Sequence, residues 1–137
     1  MSSPVETVAR GSNALAAAER MADKRVRHLV VVDAKGHVSG VLSDRDLRSA
    51  QPSTMLVPDV DMRRKALALL RVDDVMTSHP IVAQADSPLD RAIEAMAKAK
   101  VGCMPVVGAH GDLVGIVTGG DVAKLAVRLL RAHSTHP

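Results

Sequence analysis

Short apolar runs alternate along this chain with longer amphipathic stretches. Two runs rich in β-branched residues, 29–32 and 38–42, flank a polar turn that ends in glycine, and this pattern is typical of a β-hairpin. The runs 104–107 and 113–117 repeat the pattern later in the chain. Before each hairpin lies a stretch with alanine and methionine at helical spacing, which predicts an amphipathic helix.

These similarities belong to a longer internal duplication. Residues 12–47 align with residues 87–122 without a gap, and about a third of the aligned pairs are identical. An extended segment precedes each aligned block, at residues 5–9 and 81–85. Each copy therefore predicts the element order β-α-β-β-α, and the chain is predicted to be an α/β (α+β) protein built from two similar repeats.

Polar residues mark where the helices begin. Ser, Asn and Asp accept hydrogen bonds from the free amides of a first helical turn, and proline fits that turn. Residues 12–13 and 86–88 therefore predict the start of the first helix in each copy. A second helix is predicted to start near Asp46 or Asp121, and the one at the end of the chain reaches about His133.

The two copies are joined by a segment that belongs to neither. Residues 51–71 begin with a proline-containing loop and continue as a helix, with Ala66, Leu67 and Leu70 on one face. The predicted organisation is a first repeat, a linker with a helix, and a second repeat, over residues 1–50, 51–71 and 72–137.

Composition excludes several classes of function. The 137 residues carry a formal net charge of +3 and contain no Phe, Trp or Tyr, so the chain lacks the aromatic platforms on which single-stranded nucleic acids stack. Basic residues are scattered among acids, which favours a solvated surface over a nucleic-acid interface. No apolar run is long enough for a bilayer, no secretory signal is visible, and there is one cysteine. We therefore expect a cytoplasmic protein.

Several short motifs stand in the same order in both copies. The second copy has Val-Met-Thr at residues 75–77, Met-Pro-Val-Val at 104–107 and Gly-Asp-Leu-Val-Gly-Ile-Val-Thr at 111–118, and the first has related runs at 29–33 and 40–46. This arrangement resembles a tandem pair of cystathionine-β-synthase (CBS) domains over nearly the whole chain. The resemblance implies two β-α-β-β-α repeats that pack with pseudo-twofold symmetry into one module, with ligand clefts between the repeats.

In each copy a strand ends at a hydroxyl, Ser43 or Thr118, three residues before an acid, Asp46 or Asp121. A hydroxyl and free amides at a helix N-terminus suit a phosphate, and a nearby carboxylate accepts hydrogen bonds from ribose hydroxyls. The CBS resemblance implies that these positions bind adenosine ligands. The other candidates are two glycines, a basic residue and the residues of an apolar slot for the base: Gly40, Gly115, Arg45, Thr7, Val8, Val82, Ala83, Met104 and Pro105.

Structural roles compete with some of these assignments. Asp46 and Asp121 could act only as helix caps, each worth about 1 kcal/mol without any ligand. Arg45 either pairs with a phosphate or is simply exposed. The glycines at 119–120 either give room to a polyphosphate or form a loose turn. Cys103 begins a core strand and is expected to be a buried small hydrophobic residue rather than a nucleophile.

The histidines do not predict a metal site or a catalytic set. His28 and His37 are expected at the surface or at a strand edge, and His79 lies in the turn before the second copy. His133 and His136 have no third ligand near them in sequence. No Ser/His/Asp set, P-loop or nucleophile elbow is visible, so we expect no catalytic activity and no resident cofactor.

Two functions remain open at this point. The first is a regulatory sensor of AMP, ADP or ATP, with Mg²⁺ accompanying ATP if the polyphosphate charge needs it; S-adenosylmethionine is a further candidate. The second is a ligand-free assembly module that regulates a partner enzyme or transporter. Nucleic-acid binding is the least favoured hypothesis, and no membrane interaction is expected. The resemblance and the apolar residues of the first and last helices predict a homodimer in either case.

Overall fold

Both copies of the duplicated sequence fold into strands and helices in the predicted order β-α-β-β-α. The computed structural model describes residues 5–51 and 58–134, which divide by their contacts into Val5–Pro80 and a second unit that begins at Ile81. The first unit contains β1 (Thr7–Ala9), α1 (Ala14–Lys24), β2 (His28–Val32), β3 (Val38–Ser43), α2 (Asp44–Ala50), α3 (Val60–Ala68), α4 (Val72–Val75) and β4 (Thr77–Ser78). The second contains β5 (Ala83–Gln84), α5 (Leu89–Ala99), β6 (Cys103–Val107), β7 (Leu113–Thr118) and α6 (Gly119–Ser134).

Each sheet contains one antiparallel hairpin, formed by β2 and β3 in the first unit and by β6 and β7 in the second. The first sheet has the strand order β1-β2-β3-β4, with β1 parallel to β2 and β4 antiparallel to β3. The second sheet has the order β5-β6-β7, with β5 parallel to β6. His28 pairs with Ser43 in the first hairpin as Cys103 pairs with Thr118 in the second, so the two hairpins have the same register.

The predicted glycine-ended turns close both hairpins. In the first turn, Asp33 Oδ1 accepts hydrogen bonds from the backbone amides of Lys35 and His37 at 2.9 and 3.0 Å. Gly36 has a φ of +81°, and Gly111 has a φ of +80° in the second hairpin. Side chains other than glycine are strained at such angles, so each turn depends on its glycine.

Each sheet buries one face under its helices. The first core draws residues from β2, β3 and all four helices of its unit: Ala14, Ala17, Met21, Leu29, Val31, Leu42, Leu47, Leu67 and Val72. The predicted linker helix is α3, and its Leu67 belongs to this core. Leu70 lies beyond the end of α3 and packs against the same core. The second core is smaller and consists of Ala83, Ala92, Met96, Met104, Val106 and Val117.

The first helix of each unit begins differently. Asn13 caps α1, because its side-chain oxygen accepts the Ala16 amide at 2.8 Å. Pro88 occupies the equivalent position before α5 and no side chain caps that helix, so the polar cap predicted there is wrong. The fixed backbone angle of proline suits a helix start without such a cap. Both helices end at left-handed residues, Arg25 and Lys100, each with a φ of 55°.

Residues 72–80 lead into the second copy in sequence but pack on the first unit. Val72 is fully buried in the first core. Asp73 accepts hydrogen bonds from the Gly11 amide at 2.7 Å and from Arg10 Nε at 2.9 Å, and these contacts lower the pKa of the Asp73 carboxyl. The boundary predicted at residue 72 therefore divides the sequence copies, whereas the contacts divide the chain after residue 80.

Gly40 allows this segment to approach β3 closely. It pairs with Ser78 of β4. A Cβ atom at position 40 would lie 2.8 Å from the carbonyl oxygen of Thr77 and would collide with the side chain of Met76. Packing therefore explains the absence of a side chain at this position, whether or not a ligand is bound.

We expect Gly40→Ala to lower the free energy of unfolding by roughly 1–3 kcal/mol, because the added methyl group overpacks the contact with β4. Gly119→Ala is the matched control, since a Cβ there has no atom within 4 Å and alanine favours a helix. Denaturant titration of the two variants measures the difference. Equal stability of the two variants would show that the close approach at Gly40 is not required.

Candidate functional site

In the first unit, the hydroxyl and the acid of the predicted site bind each other's backbone. The Asp46 amide donates to Ser43 Oγ at 3.1 Å, and the Ser43 amide donates to Asp46 Oδ2 at 2.9 Å. This reciprocal arrangement is a capping box at the start of α2. Among the described residues, Asp46 Oδ1 accepts no hydrogen bond and the Ser43 hydroxyl donates none. Both groups can therefore cap the helix and still contact a ligand.

The second unit uses its hydroxyl differently. The Thr118 amide donates to Asp121 Oδ2 at 2.9 Å, and the Thr118 hydroxyl donates to the same oxygen at 3.2 Å. In the first unit, the Ser43 hydroxyl can donate its proton to a ligand. In the second unit, the Thr118 hydroxyl donates its proton to the neighbouring carboxylate instead. The two sites therefore share the hydrogen bond from the backbone amide to the acid, but their hydroxyl groups differ in their capacity to donate a hydrogen bond to a ligand.

Strand alternation decides which side chains lie beside these hydroxyls. Leu29 and Leu42 pair within the first core, so the adjacent pair of His28 and Ser43 lies on the opposite face of the sheet. Thr7 pairs with a residue of that opposite face. Among the slot candidates of the first unit, Thr7 therefore shares a face with Ser43.

Five of the predicted site residues face the cores instead. Val8 packs against the first core, and Ala83 and Met104 belong to the second. Gly40 and Gly115 each pair with a core residue of the neighbouring strand. The side chains of Val8, Ala83 and Met104 thus pack in or against the cores, and their part in an apolar slot for the base stays a prediction.

The remaining candidates are more accessible or lie on the site face. Pro105 is buried and follows a core residue of β6, so it lies on the face that carries Thr118. Val82 precedes β5 and is 40% exposed. Arg45, the second residue of α2, is exposed and forms no ion pair within the described part of the chain. An anion near Ser43 can therefore recruit Arg45 without breaking an existing contact.

Asp121 lies at the edge of a small cavity of the second unit. The cavity has a volume of about 150 Å³ and is lined by Leu89, Ile93, Val117, Asp121, Val122, Lys124, Leu125 and Arg128. Ligand pockets usually measure about 300–1,000 Å³, so this cavity alone is too small for a nucleotide.

Gly119 and Gly120 are the first two residues of α6, and the loose turn considered for them is wrong.

His28 lies closer to the site than the sequence analysis expects. It is the residue directly opposite Ser43 in the first hairpin. Partial burial lowers the pKa of its imidazole; the carboxylates of Asp44 and Asp46 act in the opposite direction, and Arg27 adds to the lowering. The sequence carries a signal for this position, because a hairpin closed at the glycine turn brings residues 28 and 43 together.

The structure also places the remaining residues considered from sequence. Cys103 is buried as expected. His79 is exposed with a φ of 51°, and His133 is exposed on α6, while His136 lies outside the described residues. Within residues 5–51 and 58–134, no group of three His, Cys, Asp or Glu side chains is placed to hold a metal ion. No helix in the same part of the chain is long and apolar enough to cross a membrane.

Comparison with known proteins identifies related sequences. A family model described as CBS domain matches residues 1–53 and 72–128. A CBS domain-containing protein of Dictyostelium discoideum is 34% identical over 105 residues, which cover 77% of this chain and 72% of that protein. The chloroplastic CBS domain-containing protein CBSX2 of Arabidopsis thaliana is 33% identical over 132 residues, which cover 84% of this chain. This chain spans only 56% of the length of CBSX2.

Solved structures give the same relationship. The crystal structure of CBSX2 in complex with AMP matches with a TM-score of 0.74 and 28% identity, covering 92% of this chain and 90% of that one. A CBS domain pair in complex with 5′-methylthioadenosine and S-adenosyl-L-methionine matches with a TM-score of 0.72 and 25% identity, covering 91% and 90%. Some relatives are named as enzymes. This chain spans 22% of one of them, the L-aspartate semialdehyde sulfurtransferase of Methanocaldococcus jannaschii, at 26% identity.

Proposed function

This chain belongs to the CBS-domain family, and on that basis we propose that it is a regulatory sensor that binds AMP, ADP or ATP. The observation that supports this most directly is its similarity, over 92% of the chain, to a CBS protein crystallised with AMP. The binding groups we assign are Ser43, Arg45 and Asp46 in the first unit and Thr118 and Asp121 in the second.

The geometry of the first unit suits the two polar parts of such a ligand. An ionised carboxylate only accepts hydrogen bonds, and a ribose offers two neighbouring hydroxyl donors, so the unused Asp46 Oδ1 can bind the sugar. Phosphate oxygens accept hydrogen bonds, and the Ser43 hydroxyl still has a proton to donate. The guanidinium of Arg45 adds a positive charge for the phosphate.

A regulatory role without catalysis fits the residues present. The His28 imidazole lies opposite the Ser43 hydroxyl, but no hydrogen bond joins the two groups within the described part of the chain, so the structure gives no sign that Ser43 is activated as a nucleophile. In the sulfurtransferase relative, the part that matches this chain is a minor share of the whole protein. We therefore propose that any enzyme or transporter activity belongs to a partner, in the cytoplasm, and that nucleotide binding changes that partner's activity. Such control requires the nucleotide to favour one of two arrangements of the protein.

We expect adenine nucleotides to raise the melting temperature. A ligand at a hundred times its dissociation constant stabilises a protein by roughly 2.7 kcal/mol, and micromolar affinity makes this accessible at millimolar nucleotide. A thermal scan with AMP, ADP, ATP with and without Mg²⁺, and S-adenosylmethionine measures the shift. Because the chain has no Trp, Tyr or Phe, an absorbance band near 260 nm in protein free of nucleic acid reports a co-purified base. If no compound shifts the melt and no band appears, the ligand-free assembly module becomes the better explanation.

We also expect the two sites to differ, with tighter phosphate binding in the first unit. Asp46→Ala should weaken AMP binding more than Asp121→Ala does, because the first unit has Arg45 and a Ser43 hydroxyl that is free to donate. The loss of a charge-assisted hydrogen bond typically costs about 1.5–3 kcal/mol. Calorimetry on the two variants provides the comparison, and their melting temperatures control for the loss of a cap. Equal losses of affinity would contradict the asymmetry.

The apolar surface of α6 supports a homodimer. Val127, Leu129 and Leu130 are 47%, 54% and 69% exposed, and clustered exposed apolar side chains mark interaction surfaces. We expect light scattering to give about twice the 14.4 kDa of one chain. Leu130→Glu should shift the mass toward the monomer, whereas Leu69→Glu, at a position 87% exposed outside α6, should not. A wild-type mass of one chain at high concentration would rule out the dimer.

A further inference from the structure

The two units place different residues opposite their site hydroxyls. In the first hairpin His28 pairs with Ser43, and at the same register of the second hairpin Cys103 pairs with Thr118. Directly paired residues of an antiparallel sheet have Cβ atoms about 4.5–5.5 Å apart. The first site therefore has a titratable imidazole beside its hydroxyl, and the second has a buried thiol in that place.

The charges around His28 come from the residue before it in the chain and from α2. Asp44 and Asp46 favour the protonated imidazole, whereas burial and the adjacent Arg27 disfavour it. On the β1 side, Glu6 forms an ion pair with an arginine of α1 at 3.0 Å. Burial dominates, so the pKa of the His28 imidazole is lowered from its ordinary value.

We propose that His28 couples nucleotide binding in the first unit to pH. When His28 is protonated, it attracts an anionic group held beside Ser43; the second unit, with Cys103 at this position, has no such response. This inference rests on the proposed function, because it takes the phosphate of an adenine nucleotide as the anionic group. Arg45 carries its charge at every relevant pH, so it contributes to affinity but not to the change of affinity with pH.

The direction of the effect follows from proton linkage. A phosphate beside His28 favours the protonated imidazole and so raises its pKa in the complex. Nucleotide binding is therefore accompanied by proton uptake at pH values between the pKa of His28 in the free protein and its pKa in the complex. Affinity rises as the pH falls through the bound-state pKa and levels off below the free-state pKa. A hydrogen bond to a charged donor is roughly twice as strong as one between neutral groups, which corresponds to about a fivefold gain in affinity.

Calorimetry at about pH 8 and about pH 6 tests the inference, with AMP and ATP titrated into the wild type and three variants. AMP itself gains a proton near pH 6, as phosphate monoesters do, so the measured quantity is the affinity of the wild type relative to His28→Gln. We expect this ratio to be larger at pH 6 than at pH 8, by up to about fivefold. The variant His28→Lys is cationic at both pH values, so its affinity relative to His28→Gln should not rise between pH 8 and pH 6. His110→Gln replaces an exposed histidine of the second unit and should behave as the wild type does.

The possible outcomes separate this inference from the proposed function. If AMP or ATP binds but the wild type and His28→Gln have the same pH dependence, the coupling is wrong and the sensor proposal stands. If neither nucleotide binds the wild type at either pH, both are wrong.

A measurement on the wild-type protein covers the case in which His28→Gln fails to fold. An NMR titration of the imidazole protons, repeated with saturating AMP, should show the pKa of one histidine rising when AMP is bound. A set of histidine pKa values that AMP leaves unchanged would overturn the coupling.

Discussion

The register of the antiparallel hairpin in each unit determines which side chains enter the core and which lie beside the site hydroxyl. Because side chains alternate between faces, the pairing of Leu29 with Leu42 in the core requires that His28 and Ser43 lie on the other face. A slip by one residue would exchange these faces and place a histidine and a serine in the core. The glycine-ended turn and the hydrophobic pattern therefore fix the fold and the position of the site together.

The same register brings helix capping and ligand binding to one place. Ser43 ends β3 and caps α2, so the chain changes direction where the hydroxyl and the acid must meet. The capping box uses one oxygen of Asp46 and the acceptor capacity of Ser43, and it leaves the other oxygen and the hydroxyl proton for a ligand. The cap thus holds the binding groups in position before a ligand arrives, which reduces the side-chain ordering that binding requires.

Much of the fold could be predicted from the sequence because its signals are local. The hairpins follow from apolar runs around Gly36 and Gly111, and the duplication confirms each assignment with a second example. Long-range packing could not be predicted in this way. Nothing near Gly40 indicates that Met76 packs against it, and nothing in residues 72–80 shows that they complete the first unit.

The candidate site could be predicted in part. The hydroxyl and acid pairs are visible in the repeated motif, and the structure places each pair in hydrogen-bond contact. The residues of the apolar slot were harder to predict than the polar pairs. Val8 and Met104 are apolar whether they contact a ligand or a core, so composition does not show which face of the sheet they occupy. Strand pairing does distinguish them. The contribution of His28 likewise requires the cross-strand partner, which lies fifteen positions away in the chain.

Duplication allows the two units to diverge in chemistry while they keep one backbone design. The first two residues of α2 are Asp44 and Arg45, whereas the first two residues of α6 are glycines. Each pair is neutral in total, but only the pair in α2 carries a negative and a positive side chain. The hairpins add a second difference, histidine against cysteine beside the hydroxyl. The two hairpins keep the same strand pairing despite these differences. Two sites that began as copies can therefore come to respond to different ligands, or to one ligand under different conditions, while the strand pairing around them stays the same.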